Sequence, residues 1–161
     1  IMNTPPLLLT RTEAADLDRL FEIQLDPEAI FLAAFTAKDP TDKKAYIEKY
    51  TPFLTDPTIH MYSIRVNGLI VGSIAKFVME GDAEITYWID RLYWGQGIAS
   101  TALTLFLKLE LTRPLYGRTA FDNIGSQRVL EKCGFVRTGE DKGFANARQA
   151  EIEELIYRLS E

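Results

Sequence analysis

A Gly-x-Gly turn, Gly95-Gln96-Gly97, joins a run of aromatic and β-branched residues, Ile85 to Ile89, to a segment with an apolar helical face, Ser100 to Leu111. Glycine admits positive φ and close approach to the backbone. A strand that stops at such a turn and opens a helix leaves N–H groups without intrahelical partners, here those of Gln96 to Ala99, at the positive end of the helix dipole. Phosphate and pyrophosphate groups bind there. The turn has neither the lysine of a Walker A loop nor the third glycine of a dinucleotide fingerprint. A plain strand-to-helix turn would use the same residues. A second stretch runs from Asp122 to Phe135. Asp122 or Asn123 can cap its helix. The Asn123 amide both donates and accepts, which suits a peptide-like ligand. Ser126 lies one helical turn on and can face the same groove. A capped helix with an exposed serine is the ligand-free reading of those residues.

The rest of the chain must position these stretches. Its 161 residues suit one domain with a sizeable core. Hydrophobic residues make up 47% and charged residues 25%, the balance of a soluble globular protein. A net charge of −5, from 18 basic and 23 acidic side chains, argues against a nucleic-acid partner. The single cysteine, Cys133, excludes an internal disulfide and a thiolate metal cluster. It precedes a helix-ending glycine and reads as packed. The single histidine, His60, follows a proline-containing loop with no motif around it. It reads as a strand-edge polar residue, and no metal site is expected. No apolar run approaches the roughly 18–20 residues of a membrane span, so no membrane partner is expected. The start, IMNTPPLLLTRTEAAD, has no basic segment ahead of its leucine run and does not read as a signal peptide. The expected location is cytoplasmic. Ile1 ahead of Met2 reads as a cloning remnant.

In chain order, Leu7 to Leu9 reads as an edge strand and Glu13 to Leu25 as a first helix, started at Thr12. Ala29 to Ala37 is either a short helix or a loop that turns Phe31 and Phe35 into a cavity. Asp42 to about Leu54 is a helix capped by Thr41. Three antiparallel strands follow, from Ile59, from Leu69 to Met79 and from Glu84 to Ile89, with a hairpin turn at Asn67-Gly68. Leu115 to Phe121 is a strand, Ile124 to Cys133 a helix ended by Gly134. Phe135 to Thr138 and Ala150 to Leu159 are two last strands, joined by a polar loop, Gly139 to Asn146. The alternation slips at Glu154, which admits a bulge.

Read together, the two chemistry-bearing stretches resemble the GNAT superfamily of acyl-CoA-dependent N-acyltransferases. The first resembles its acetyl-CoA signature, Arg/Gln-x-x-Gly-x-Gly/Ala, and the second its later Asn-x-x-Ser…Gly-Phe segment. The nearest group is that of the ribosomal-protein N-terminal acetyltransferases. Its A-E-x-x-Y-W-I…Y-W-G-x-G-x-A and N-x-x-S-x-x-V-L-E-K-x-G-F patterns read here as Ala83 to Ile89, Tyr93 to Ala99 and Asn123 to Phe135. Asp26-Pro27-Glu28 after the first helix extends the likeness to nearly the whole chain. The signature's first Arg/Gln falls on Leu92, so backbone N–H groups must hold the phosphate there.

The resemblance implies an α/β (α+β) fold in one domain, residues 1–161. Its sheet is mixed and mostly antiparallel, with a central splayed parallel pair, Glu84–Ile89 and Leu115–Phe121, and about four flanking helices. It implies acetyl-CoA as acyl donor and no metal. The pantetheine arm would lie between the splayed strands, on backbone groups at Trp88, Ile89 and Asp90, with Asn123 hydrogen-bonded to it. The pyrophosphate would sit on Gly95, Gln96, Gly97, Ile98 and Ala99, beside Leu92. Ser126 would reach toward the thioester sulfur. The acceptor would be an amine, on a peptide N-terminus or a small molecule, beside Phe31, Phe35, Glu84 and Thr86. A monomer or a homodimer would serve.

The chemistry assigns the roles. Amines with pKa values of about 8 to 10 are mostly protonated at pH 7, so a base must take a proton. Glu84, at the head of the strand beside the groove, is the candidate, directly or through a water. A strand N–H near Trp88 or Ile89 would hold the oxyanion. The thiolate leaves without a strong acid, so Ser126 either donates a proton or only hydrogen-bonds the sulfur. Many relatives place a tyrosine seven residues after the asparagine; that position is Leu130, which excludes a tyrosine acid there. Two other readings stand beside the enzyme. A silent acyl-CoA-binding module would have no use for Glu84. A nucleotide-binding domain would need the lysine or third glycine that the turn lacks.

Overall fold

The computed structural model describes residues 6–161, so the reading of Ile1 lies outside it. The strands are β1 (Leu7–Arg11), β2 (His60–Val66), β3 (Leu69–Met79), β4 (Asp82–Ile89), β5 (Leu115–Ala120), β6 (Val136–Ala145) and β7 (Ala150–Leu159). The helices are α1 (Leu17–Ile23), α2 (Pro27–Ala33), α3 (Lys43–Tyr50), α4 (Ile98–Leu109) and α5 (Ile124–Lys132). One seven-stranded sheet runs in the order β1-β2-β3-β4-β5-β7-β6. Every neighbouring pair is antiparallel except β4 and β5, which are parallel. The mixed sheet with one central parallel pair is the expected architecture.

The sheet is covered on both faces. Ile85 and Ile89 of β4, Leu115 of β5 and Leu155, Tyr157 and Leu159 of β7 pack with Ile98, Ala102, Leu103 and Phe106 of α4 and Leu130 of α5. On the other face Met61 and Ala75 pack with Leu17, Leu20 and Ile23 of α1, with Trp88 of β4 at the margin. Strand residues alternate between faces, which is how β4 serves both cores.

Several boundaries differ from the sequence reading. The first helix is shorter: residues 14–16 form a 3-10 turn and α1 starts at Leu17. Thr12 does not cap it. Its hydroxyl is buried against Ser63, and a reciprocal Glu13/Asp16 box closes the turn instead. Ala29 to Ala33 belongs to a helix, α2, capped by the Asp26 carboxylate with Pro27 at its first turn. Asp42, not Thr41, caps α3; Thr41 is bound to Asp39. The polar loop expected at 139–146 is strand β6, with its hairpin turn at 146–149. It is an edge strand exposed over most of its length, so no apolar alternation marks it. The bulge of this hairpin lies between Arg137 and Gly139, not at Glu154.

Two features carry testable consequences. Gly72 of β3 lies against β4, and a Cβ there would stand 2.1 Å from the Trp88 carbonyl oxygen. Backbone cannot yield as a side chain does. Gly72→Ala is expected to cost about 1–3 kcal/mol, read as a lower denaturant midpoint.

Glu110 ends α4, a poor place for a carboxylate beside a helix C-terminus. It is buried and meets His60 Nδ1 at 2.5 Å and the Thr112 N–H. Burial pushes its carboxyl up, but the hydrogen bonds from His60 and Thr112 outweigh it and hold it below the ordinary value. A carboxylate lowered in the folded state adds stability above its unfolded pKa, and that share is lost as pH falls through the folded value. The stability gap between wild type and Glu110→Gln should therefore close on acidification, as measured by denaturant melts at several pH values.

Candidate active site

The site begins where β4 and β5 part. They pair only at Glu84–Tyr116 and Ile85–Gly117. Beyond these, Thr86 to Ile89 and Arg118 to Ala120 continue with no partner between them. Gly117 lets α5 down onto the sheet at this point: a Cβ there would lie 2.8 Å from Leu130 Cδ2. Leu130 is thus a packing residue.

The hydrogen-bond parity of β4 decides which backbone groups face the gap. The Asp90 N–H donates to the Val71 carbonyl at 2.7 Å, continuing the β3–β4 register. Alternate residues of an antiparallel ladder exchange such bonds. Trp88 and Thr86 therefore turn their backbone groups to β3, and Tyr87 and Ile89 turn theirs to the opening. The Ile89 carbonyl accepts from the Trp94 indole at 2.9 Å. Of the stretch Trp88 to Asp90, only Ile89 has its N–H on the gap side, with Tyr87 before it.

The chain leaves β4 through a 3-10 turn, residues 91–93, capped by Asp90, whose carboxylate accepts the Leu92 N–H. Asp90 is also paired with Arg19 of α1 at 2.6 Å, and Arg91 with Asp26 and Glu28 at the start of α2. The turn is so tied to the helices on the far face. Gly95 and Gly97 have φ values of 78° and 74°, with open space where a Cβ would stand. Their requirement is conformational. Gly97 is the N-cap of α4, without a side-chain cap. The first intrahelical bond at this end is Thr101 N–H to the Gly97 carbonyl. The N–H groups of Ile98, Ala99 and Ser100 therefore have no helical acceptor. The Ile98 side chain is buried, which anchors this end of α4 in the core. Leu92 is 83% exposed, and its apolar side chain offers an anion no hydrogen-bond donor. Gln96 is exposed.

Glu84 and Ser126 stand on opposite faces of the sheet, with the parted edges between them. Glu84, Thr86 and Trp88 lie on the α1 side; Tyr87 lies with Ile85 and Ile89 on the α4–α5 side. Glu84 is buried, with Arg118 Nε 3.4 Å from Oε2. Arg118 is held in turn by Glu154 at 2.9 Å and Asp141 at 3.5 Å. Burial pushes the Glu84 carboxyl up, Arg118 draws it down, and Glu154 and Asp82 push it up again; the balance lies above the ordinary carboxylate value. Thr86 is exposed beside it. On the other face the Ser126 hydroxyl meets the Tyr87 hydroxyl at 2.7 Å. Sequence reasoning missed Arg118 and Tyr87. The strict alternation of β4 was the available signal for Tyr87; none existed for Arg118, whose partners come from β4, β6 and β7.

Asn123 caps α5 through Oδ1 and donates from Nδ2 to the Leu32 carbonyl of α2. One amide hydrogen is left over. It joins a strap over the end of α2. The Arg148 Nε–H donates to the Phe31 carbonyl, the Ala147 N–H to Ala34 and the Asn146 amide to Thr36. The last carbonyls of a helix lack helical partners; here the β6–β7 turn and Asn123 supply them. Arg148 also forks onto Asp122 at 2.8 and 2.9 Å and covers the Phe31 ring, 3.8 Å from its centroid. Ala34 closes the segment with φ 63° and ψ −58°, and the Phe35 N–H bonds the Ala33 carbonyl at 2.7 Å. That is a γ-turn of the strained kind, held by the strap around it. Phe31 is half exposed, and Phe35 packs beside Ala34, Ala120 and Ala145.

Cys133 is partly buried, 3.7 Å from the Ser100 carbonyl. Among the described residues no cluster of histidine, cysteine and carboxylate side chains forms a metal site, and no helix is long and apolar enough to cross a membrane.

Known proteins share this fold. Over 98% of its length the chain is 25% identical to an uncharacterized N-acetyltransferase of Bacillus licheniformis, of which it covers 94%. It superposes on Mycobacterium smegmatis RimJ, solved with a coenzyme A disulfide, with a TM-score of 0.80 at 21% identity, covering 96% of this chain and 81% of that one. The ribosomal-protein α-N-acetyltransferase RimL, solved with coenzyme A, gives a TM-score of 0.79 at 19% identity, covering 98% and 95%. The family model of the GNAT acetyltransferase domain matches residues 6–136, and so the chain belongs to the GNAT family of acetyltransferases.

Proposed function

We propose that this protein transfers an acetyl group from acetyl-CoA to a primary amine, by direct attack within a ternary complex. The observation that carries the reading is the gap between β4 and β5, edged by unpaired backbone groups and leading to the glycine turn at α4. Acetyl-CoA supplies the acetyl group as a thioester whose thiolate departs. The residues fit it: the N–H groups of Ile98, Ala99 and Ser100 lack acceptors, and Gly95 and Gly97 leave open space above them. These N–H groups hold the pyrophosphate, without help from Leu92. Ile89 and Tyr87 offer backbone to the pantetheine arm, and the spare Asn123 amide hydrogen adds to them.

Glu84 takes the proton from the incoming ammonium, directly or through a water. Its raised pKa favours this, because a base works best when its pKa approaches the operating pH. An N–H of Tyr87 or Ile89 meets the developing oxyanion. Ser126 hydrogen-bonds the sulfur as the bond breaks. Thr86, beside Glu84, and the α2 segment with Phe31 and Phe35 border the acceptor. That acceptor is an amine, on a protein N-terminus or on a small molecule.

Two measurements test the reading. Acetyl-CoA should raise the melting temperature in a concentration-dependent way. Incubation with acetyl-CoA and a panel of peptide N-termini and small amines should give products heavier by one acetyl group. Stabilisation without turnover on any amine would leave a silent acyl-CoA-binding module, and no stabilisation would overturn both.

A further inference from the structure

The Tyr87 hydroxyl crosses from β4 to α5 and ends at a single residue. It lies 2.7 Å from Ser126 Oγ and 3.4 Å from the Ser126 carbonyl oxygen. A phenol has one proton to give, and both acceptors in reach belong to Ser126. The contact with the serine hydroxyl is the shorter, and either hydroxyl can be its donor. When the phenol donates it, Ser126 keeps its own hydroxyl proton for another partner. The backbone under the serine is fixed, because its N–H is held by the Asn123 carboxamide oxygen in the α5 cap. Tyr87 and Ser126 lie on the wall of the gap opposite Glu84.

We propose that Tyr87 is a positioning residue for Ser126, fixing the serine hydroxyl so that its proton points into the gap between β4 and β5, at the thioester sulfur. The proposal rests on the acetyl-transfer reading and on the place of Ser126 in it. Burial pushes the Tyr87 hydroxyl up to about 12, with its bond to Ser126 opposing and the Cys133 thiol of α5, the titratable group facing it, adding to the rise. The phenol therefore stays protonated and acts as a donor throughout the working range. It gives up no proton in the reaction. The hydrogen bond it donates polarises the serine O–H, which strengthens the bond Ser126 makes to a sulfur gaining negative charge. This also answers the leucine at 130. That site packs against Gly117 and has no room for a phenol, whereas Tyr87 brings one to the same helix from the opposite strand.

A double-mutant cycle on the full chain tests this. Tyr87→Phe should lower kcat about tenfold, the worth of one ordinary hydrogen bond, with KM for acetyl-CoA unchanged. The double variant Tyr87→Phe/Ser126→Ala should be no slower than Ser126→Ala alone. Losses that multiply, or an unchanged kcat in Tyr87→Phe, overturn the proposal. A Ser126→Ala variant as fast as wild type removes the serine from the reading and the proposal with it. A wild-type chain that neither binds coenzyme A nor consumes acetyl-CoA sinks the acetyl-transfer reading itself, and this with it. A second readout needs neither coenzyme nor a folded Tyr87→Phe variant. With 3-fluorotyrosine at position 87, Ser126→Ala should move the fluorine resonance. A resonance indifferent to Ser126→Ala would overturn the pairing.

Discussion

If Glu84 is the base we propose, Glu84→Gln is expected to lower kcat/KM by about 10²–10⁴-fold, the usual worth of a general base, with the fold and the binding of coenzyme A unchanged. The amide matches the carboxylate in shape and still hydrogen-bonds Arg118, but it cannot take a proton. Glu84 is buried on a paired rung of β4 and β5, one residue before the last, so its neighbours on the strand hold it in place. Its raised carboxyl sets the sign of the pH dependence. The working form is ionised, so wild-type kcat/KM falls as pH drops through the raised value, above the ordinary carboxylate pKa of about 4.3. Arg118 restrains that rise. Arg118→Met should move the acid limb further up, and Arg118→Lys should restore part of it. Stopped-assay rates from about pH 5 to 9 read all of this. A Glu84→Gln enzyme with unchanged rates and profile would remove the base assignment and leave the fold-level conclusions standing.

Arg148→Ala is expected to cost about 2–3 kcal/mol, below the 3–5 of a fully buried pair because Asp122 is partly exposed. For a chain of this size that is a drop of about 5–10 °C in melting temperature. The side chain is 9% exposed and makes every bond it can reach: two to Asp122, one to the Phe31 carbonyl and a stack on the Phe31 ring. Its removal leaves an unpaired carboxylate and an orphaned helix carbonyl. Hydrogen bonds from Arg148 hold the Asp122 carboxyl below its ordinary value, against the push of burial. That share of stability exists above the unfolded pKa and is lost as pH falls through the folded value. The loss in Arg148→Ala should accordingly shrink in acid. The strap it anchors carries the segment proposed to border the acceptor, and on that proposal KM for the amine should rise more than KM for acetyl-CoA. A variant as stable as wild type would show that the remaining three bonds hold α2 unaided.

The coenzyme side was legible because its requirements are local. Two glycines with positive φ, an uncapped helix start and Asn123 at the head of α5 each follow from residues a few positions apart. The element order followed from periodicity, and the parallel pair from its likeness to a known pattern. Residues 139–145 of edge strand β6 read as loop because they are exposed and polar, and only their pairing with β7 makes them strand. Thr12 and Thr41 are good caps by type, but each found a better partner elsewhere, Ser63 and Asp39. Asn123 was read as a ligand contact. Its side chain turned out to serve α5 and α2 first.

The amino-acid sequence by itself determined the glycine turn, the helix that follows it, the capped α5 and the presence of a carboxylate, Glu84, near the start of β4. Those depend on backbone preference and on neighbours within a turn or two. Only the tertiary structure decided where β4 and β5 part, which backbone groups face the gap and that Glu84 and Ser126 look at it from opposite sides. It also decided that Arg118 and Tyr87 attend them. These facts depend on register between distant strands, and a one-residue slip would exchange every face.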